Sequence, residues 1–217
     1  MKSTLRKDLP LIAIVLLPFV YLAYIWNDLP EKVPMHWNIN GEVDRFGTKY
    51  ELLLIPILLP LLIYILFLVV PKIDPKKRIK DMGGKYQSLK AILIIFMSAL
   101  SLFIMYAAKN DTSHNPNYIV LIIGLLFIFL GNYFKTIKPN YFIGIKTPWT
   151  LEDETIWKKT HKLAGKLWFV GGLLVVFCSL ILTKEANFAC FAVITVIIVL
   201  VPVVYSYLLF REINTEQ

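Results

Sequence analysis

The chain has 217 residues, 57% of them hydrophobic, and a formal net charge of +8. A water-soluble domain of this length does not carry so much apolar sequence. The basic residues are divided among several connectors instead of forming one patch, which speaks against direct nucleic-acid binding.

In chain order, six apolar runs are long enough, or nearly so, to cross a hydrocarbon layer of about 30 Å at about 1.5 Å per helical residue. They fall at about 11–26, 52–70, 91–108, 119–134, 167–183 and 188–210. Backbone at that depth has no water to bond to, so each run is expected to be helical. The predicted fold is all-α: a polytopic membrane bundle of about six helices, with a small extracellular hairpin-like loop and a cytoplasmic amphipathic helix. The first run is longer than a signal-peptide core and no A-x-A-like site follows it, so it reads as a retained anchor.

The segment after the first run is LPEKVPMHWNINGEVDRFGTKY. Asn40-Gly41 is a two-residue turn signal, and Val33, Met35, Trp37 and Ile39 alternate with the period of a strand. A small hairpin is expected, with Trp37 and Phe46 at the membrane surface. His36 with Glu42 and Asp44 could bind a metal, but no second histidine at ligand spacing supports it, and no metal or cofactor is predicted. The second run holds Pro56 and Pro60; a kink is the simpler reading, a broken helix around a substrate the other.

The stretch from 71 to 90 is basic and punctuated by Pro75 and Gly83-Gly84, and it is taken as a linker. The domain reading is 1–70, with two spans and the outer loop; 71–90, the linker; and 91–217, with four spans. His114 falls in a short polar connector. The next connector is far richer: GNYFKTIKPNYFIGIKTPWTLEDETIWKKTHKLAG runs from Gly131 to Gly165. Connectors this specified commonly carry function. Thr150, followed by Glu152, Asp153 and Glu154, reads as a helix cap, with Thr147-Pro148 as the alternative start. Trp149, Ile156 and Leu163, with Trp157 and His161, recur at helical spacing opposite Glu152, Lys158, Lys159 and Lys162, which makes the amphipathic helix. Asn132, Asn140, Lys146, Thr147 and Thr150 form a polar set: a docking surface for a peptide, protein or headgroup, or helix caps and a snorkelling lysine.

The fifth run carries two rows of small residues, Gly165, Gly172, Ser179 and Ala164, Gly171, Cys178, matched by Gly124 and Gly131 in the fourth. Such rows let helices approach in lipid, so the fourth and fifth spans are expected to pair. The cysteines, Cys178 and Cys190, lie inside runs, and neither a disulfide framework nor a zinc spacing is indicated. Lysine and arginine crowd the amino end and the connectors after the second and fourth runs, which places both termini in the cytoplasm by the positive-inside rule. No charged residue is seen at the middle of a run, which weighs against ion-coupled transport. No nucleophilic triad, phosphate-cradling glycine loop or HExxH pattern occurs, so nothing argues for an enzyme.

The stretch from Gly131 to Gly165 resembles the signature of the SdpI family of bacterial immunity proteins, and VPMHWNINGEVDRFGTK resembles the DUF1648-type domain that precedes it. The family pattern has arginine at the position of Lys146; lysine keeps the charge but loses the planar fork. The resemblance implies a multi-pass protein of the bacterial cell membrane that resists a secreted, membrane-active peptide toxin and holds a cognate cytoplasmic repressor at the membrane. It makes His36, Trp37, Asn38, Asn40 and Gly41 a candidate toxin-sensing face outside. Inside, Asn140, Gly144, Lys146, Thr147, Pro148, Trp149 and Thr150 become the repressor-docking or gating face, with Asn132, Trp157 and His161 beside them. The alternatives are a permease or exporter of a small molecule or peptide, and a metal-dependent membrane enzyme built on His36.

Overall fold

A computed structural model describes residues 2–38, 42–110 and 117–215, apart from the side chains of residues 2–7, 37 and 214. The chain is 81% helical. Among the described residues, six helices are long and apolar enough to cross a membrane: Asp8–Asp28, Lys49–Ile73, Gly84–Asn110, Asn117–Phe134, Glu154–Ile181 and Lys184–Ile213. Each overlaps one predicted run. The third and fifth begin well before their apolar runs, because lysine and glutamine continue a helix as readily as leucine does.

Two units emerge from the contacts within the chain: Met1–Val69 with Gln87–Pro116, and Val70–Tyr86 with Asn117–Gln217. The first contains α1 (Lys2–Ile25), the strands β1 (Lys32–Trp37) and β2 (Val43–Thr48), a 3-10 turn (Lys49–Leu53), α2 (Leu54–Pro56), a π-helical turn (Ile57–Leu61) and most of α3 (Leu62–Ile73). After the short α4 (Arg78–Asp81), α5 (Gly84–Asn110) returns to it. The prolines of the second span do not break it. Pro60 has no N–H for the carbonyl one turn back, and the backbone passes it as a π turn.

The expected hairpin forms: β1 and β2 pair antiparallel, from Lys32 opposite Thr48 to Trp37 opposite Val43, with irregular register between Pro34 and Trp37. The turn residues Asn40 and Gly41 lie outside the described residues, as does His114. Val33 is fully buried and joins Leu22, Ile25 and Leu29 of the first span end, Leu52, and Met105 and Ala108 of α5 in one cluster. The hairpin is thereby seated on the helix ends. Trp26 meets Tyr50 edge-on at 5.6 Å, and the Lys49 ammonium lies 5.7 Å from the Trp26 ring. Phe46 is exposed.

Two ion pairs tie the first span to α5. Lys90 Nζ donates to Asp8 Oδ1 at 2.6 Å, and Lys109 Nζ to Asp28 Oδ2 at 2.7 Å. The partners are separated along their helices by about 30 Å of helical rise, close to the thickness of the hydrocarbon layer. The Lys90–Asp8 pair is buried, and Lys90 also lies 5.8 Å from the Tyr64 ring.

The second unit holds α6 (Asn117–Phe134), α7 (Pro148–Glu152), α8 (Glu154–Ile181) and α9 (Lys184–Thr215). The fourth and fifth spans pair through the small-residue rows. A Cβ on Gly131 would lie 2.3 Å from Phe169 N, one on Gly165 2.8 Å from Gly131 O, and one on Gly172 2.6 Å from Ile128 N. Only hydrogen fits at these crossings. The second row faces elsewhere: a Cβ on Gly171 would meet Ile198 of α9 at 2.7 Å, and Cys178 Sγ is 3.1 Å from Cys190 Sγ, both thiols free. Pro202 leaves the carbonyl of Ile198 without its usual helical donor, and Trp168 Nε1 of α8 donates to it at 3.0 Å. At the far end, Asn187 Nδ2 donates to Asn117 Oδ1 at 2.9 Å, Asn117 Nδ2 to Leu182 O at 3.2 Å, and Ser179 Oγ approaches Asn187 Oδ1 at 3.3 Å.

Candidate functional site

The chain from Lys135 to Asp153, between α6 and α8, contains one short helix, yet its polar groups are closely satisfied. Asn140 is 2% exposed and uses all four hydrogen-bonding positions of its amide. Its Oδ1 accepts from Phe142 N at 2.8 Å and Ile143 N at 2.7 Å; its Nδ2 donates to Lys138 O at 2.8 Å and Ile143 O at 3.0 Å. An asparagine closing a turn on itself gives the loop a fixed bend without a strand or helix.

Gly144 follows with φ of 111°, which side chains other than glycine rarely adopt. A Cβ there would also lie 2.4 Å from His161 Nε2. That nitrogen accepts from Ile145 N at 3.0 Å, while Nδ1 lies 2.9 Å from Trp157 O. The pair of bonds requires the proton on Nδ1 and a bare Nε2. The imidazole also stacks on Trp157, with centroids 4.0 Å apart. Trp157 is wholly buried and donates Nε1–H to Ile137 O at 2.8 Å. Trp157 and His161, both on α8, therefore hold the loop near its start at Ile137 and at its middle at Ile145.

Thr147 and Thr150 form a capping box around Pro148. Thr147 N donates to Thr150 Oγ1 at 2.9 Å, and the Thr150 hydroxyl lies 2.9 Å from Ile145 O and 3.0 Å from Thr147 O, sharing one proton. The reading of Thr150 as the cap of the long helix is corrected here. Thr147 caps α7, with Pro148 at its first turn, and Asp153 caps α8 through Thr155 N at 2.6 Å and Ile156 N at 2.8 Å. A carboxylate satisfies two free N–H groups where the Thr150 hydroxyl, turned into the box, reaches none in α8. The amphipathic segment is the opening of α8 itself: Ile156, Trp157, Thr160 and His161 are buried, and Lys158, Lys159 and Lys162 are exposed.

Trp149 points away to α9, donating Nε1–H to Ser206 Oγ at 2.7 Å and packing on Tyr207 and Phe210 at 5.4 and 5.7 Å. Lys146 is exposed and reaches Phe142 O at 3.3 Å. Pro148 is exposed, and so is Asn132 on α6, which the loop's hydrogen-bond network does not include. The expected polar set thus divides into a buried frame of Asn140, Gly144, Thr150, Trp157 and His161, and a surface that includes Lys146 and Pro148.

Several partners were not foreseen. Arg78 Nη1 donates to Pro139 O at 3.3 Å, and the Tyr133 hydroxyl donates to Lys85 O. Buried Asp74 accepts from Ile79 N at 2.8 Å and shapes the turn that presents Arg78. Asp74-Pro75 is a turn signal, but no spacing in the sequence relates Arg78 to a carbonyl 61 residues away.

At the hairpin, His36 is exposed and its Nδ1 is 2.5 Å from Asp44 Oδ1. Asn38 Nδ2 donates to Glu42 Oε2 at 2.9 Å, and Asn38 Oδ1 accepts from Glu42 N at 3.0 Å. Trp37 is placed by its backbone in β1. Among the described residues no group of three or more His, Cys, Asp or Glu is disposed to hold a metal ion.

The six apolar helices, the small hairpin and the framed loop define a multi-pass membrane protein. Residues 136–206 match the SdpI/YfhL protein family, and residues 13–59 match the domain of unknown function DUF1648. The SdpI-family segment thus covers most of the framed loop, α7, α8 and much of α9, and the DUF1648 segment covers most of the first span and the hairpin, as the resemblance implied. The chain is 25% identical to the Immunity protein SdpI of Bacillus subtilis (strain 168), over 98% of this chain and all of that protein. It is also 47% identical, over 25% of its length and 28% of the other's, to an uncharacterized protein of Archaeoglobus fulgidus. No solved structure matches the chain.

Proposed function

We propose that the chain is an immunity and signalling protein of the bacterial plasma membrane that protects its cell from a secreted, membrane-active peptide toxin. One observation carries the reading: the connector between α6 and α8 is held as a shaped surface by a buried polar frame, which a plain connector does not need. The end-to-end similarity to a protein named for immunity supports the same view.

In this reading both termini and the framed loop face the cytoplasm, following the concentration of lysines there. The hairpin lies outside, and His36, Trp37, Asn38, Asn40 and Gly41 make the toxin-sensing face. Inside, Lys146, Pro148 and exposed Tyr141 form the face on which a cognate repressor docks, while Asn140, Gly144, Thr147, Thr150, Trp149, Trp157 and His161 hold that face in shape.

The test is survival of a toxin-sensitive bacterium expressing the chain and challenged with a sporulation-delay-type peptide. Wild type is expected to protect. Trp149→Ala and Asn140→Ala are expected to abolish protection while the protein still inserts. Sensitivity unchanged by wild-type expression would reject immunity. Full protection by both variants would reject the role of the loop.

A further inference from the structure

Beside α7, lined in part by its Pro148, Leu151 and Glu152, lies a cavity of about 470 Å³. Its lining includes Lys76 and Arg78 from the segment around α4, Tyr141 from the framed loop, and Glu152 and Glu154 from the end of α7 and the start of α8. The two cations balance the two carboxylates, so neither a simple anion nor a simple cation complements the whole site. A zwitterion does. Arg78 spends one N–H on Pro139 O and keeps the rest of its fork. The Lys76 ammonium sits 5.2 Å from the Tyr141 ring. Glu154 is shared with Lys158 at 3.3 Å, whereas Glu152 has no partner among the described residues.

The position is equally specific. Lys76 and Arg78 follow the end of a span at Ile73, Tyr141 and Glu152 lie in the connector after Phe134, and Glu154 is the first residue of the next span. Lys76 lies only three residues past the end of its span, which puts the cavity within reach of lipid headgroups.

We propose that this cavity holds the headgroup of an amine-bearing phospholipid, with its phosphate on Lys76 and Arg78 and its primary ammonium on Glu152. A primary ammonium has three N–H donors for a carboxylate; a quaternary ammonium has none, and a glycerol headgroup has no cation. The site therefore selects phosphatidylethanolamine over phosphatidylcholine and phosphatidylglycerol. It requires neither a toxin nor a repressor.

The experiment is lipid titration of the purified full chain in detergent, read by native mass spectrometry with dilauroyl forms of the three lipids. Phosphatidylethanolamine is expected to bind about tenfold more tightly than either of the others, the equivalent of one charge-assisted hydrogen bond. Glu152→Gln is expected to remove that preference, whereas Lys76→Gln is expected to weaken all three lipids alike, because the phosphate is common to them. Equal binding of all three lipids, tightest binding of phosphatidylglycerol, or an unaltered preference in Glu152→Gln would overturn the proposal. Soluble O-phosphoethanolamine competing at the affinity of the lipid would overturn the lipid assignment. Because binding is read on purified protein, its failure leaves the immunity reading standing, and a failed survival assay leaves the lipid result standing.

Discussion

Lys90 and Asp8 form a buried ion pair, Nζ to Oδ1 at 2.6 Å, with side chains only 2% and 7% exposed. The pair joins α5 to the start of the first span. Two charges held at so little exposure depend on each other, because either alone would be desolvated without compensation.

Removing one partner is therefore worse than removing both. Lys90→Met is expected to destabilise the protein by about 3 kcal/mol or more, and the double variant Asp8→Asn with Lys90→Met by clearly less. Thermal unfolding in detergent reads the difference. Additive losses would mean that the two charges are independently solvated.

Gly144→Ala combines a disfavoured φ with a Cβ 2.4 Å from His161 Nε2. The cost is expected to be about 2 kcal/mol. It is expected to show as faster proteolysis of the 135–153 segment, since the Ile145–His161 bond is displaced with it. Unchanged cleavage would mean that the loop does not rely on this contact.

Gly131→Ala and Gly84→Ala make a matched pair. At Gly131 the new methyl would meet the backbone of α8, and a loss of about 1–3 kcal/mol is expected. At Gly84 nothing lies within 4 Å, and a neutral or slightly stabilising effect is expected. Equal melting temperatures for the two would contradict the close crossing of α6 and α8.

Cys178 and Cys190 are already 3.1 Å apart, and a bond of about 2 Å needs only a small approach. Copper-phenanthroline treatment of membranes is expected to protect both thiols from maleimide within one chain, and reductant to restore both. Cys178→Ser is expected to leave Cys190 reactive throughout. Two thiols that stay free under oxidation would place the last turns of α8 and the first turns of α9 farther apart.

The small-residue rows illustrate what sequence order can convey. Gly124, Gly131, Gly165 and Gly172 recur at a spacing that brings them to one helix face, so the α6–α8 crossing was legible without coordinates. Lys90 illustrates the opposite case. Placed beside other lysines after the second run, it reads as a connector charge; its partner is 82 residues away in the chain. Long-range pairing of single residues has no periodic signature.

The loop lies between these cases. Its richness in asparagine, threonine, proline and tryptophan marks it as specified, and Thr147-Pro148 gives one correct helix start. Which polar side chains turn inward could not follow from composition, because Asn140 and Asn132 are the same residue type with opposite exposure. The amino-acid order by itself determined the membrane class, the number of spans, the hairpin and one helix pair, since each rests on hydrophobic length or local periodicity. Tertiary structure alone decided that Asn140, Trp157 and His161 frame the loop, that Asp153 starts α8, and that Lys76 and Glu152 border one cavity. Those relations depend on which side chains and carbonyls three-dimensional packing brings within hydrogen-bonding reach.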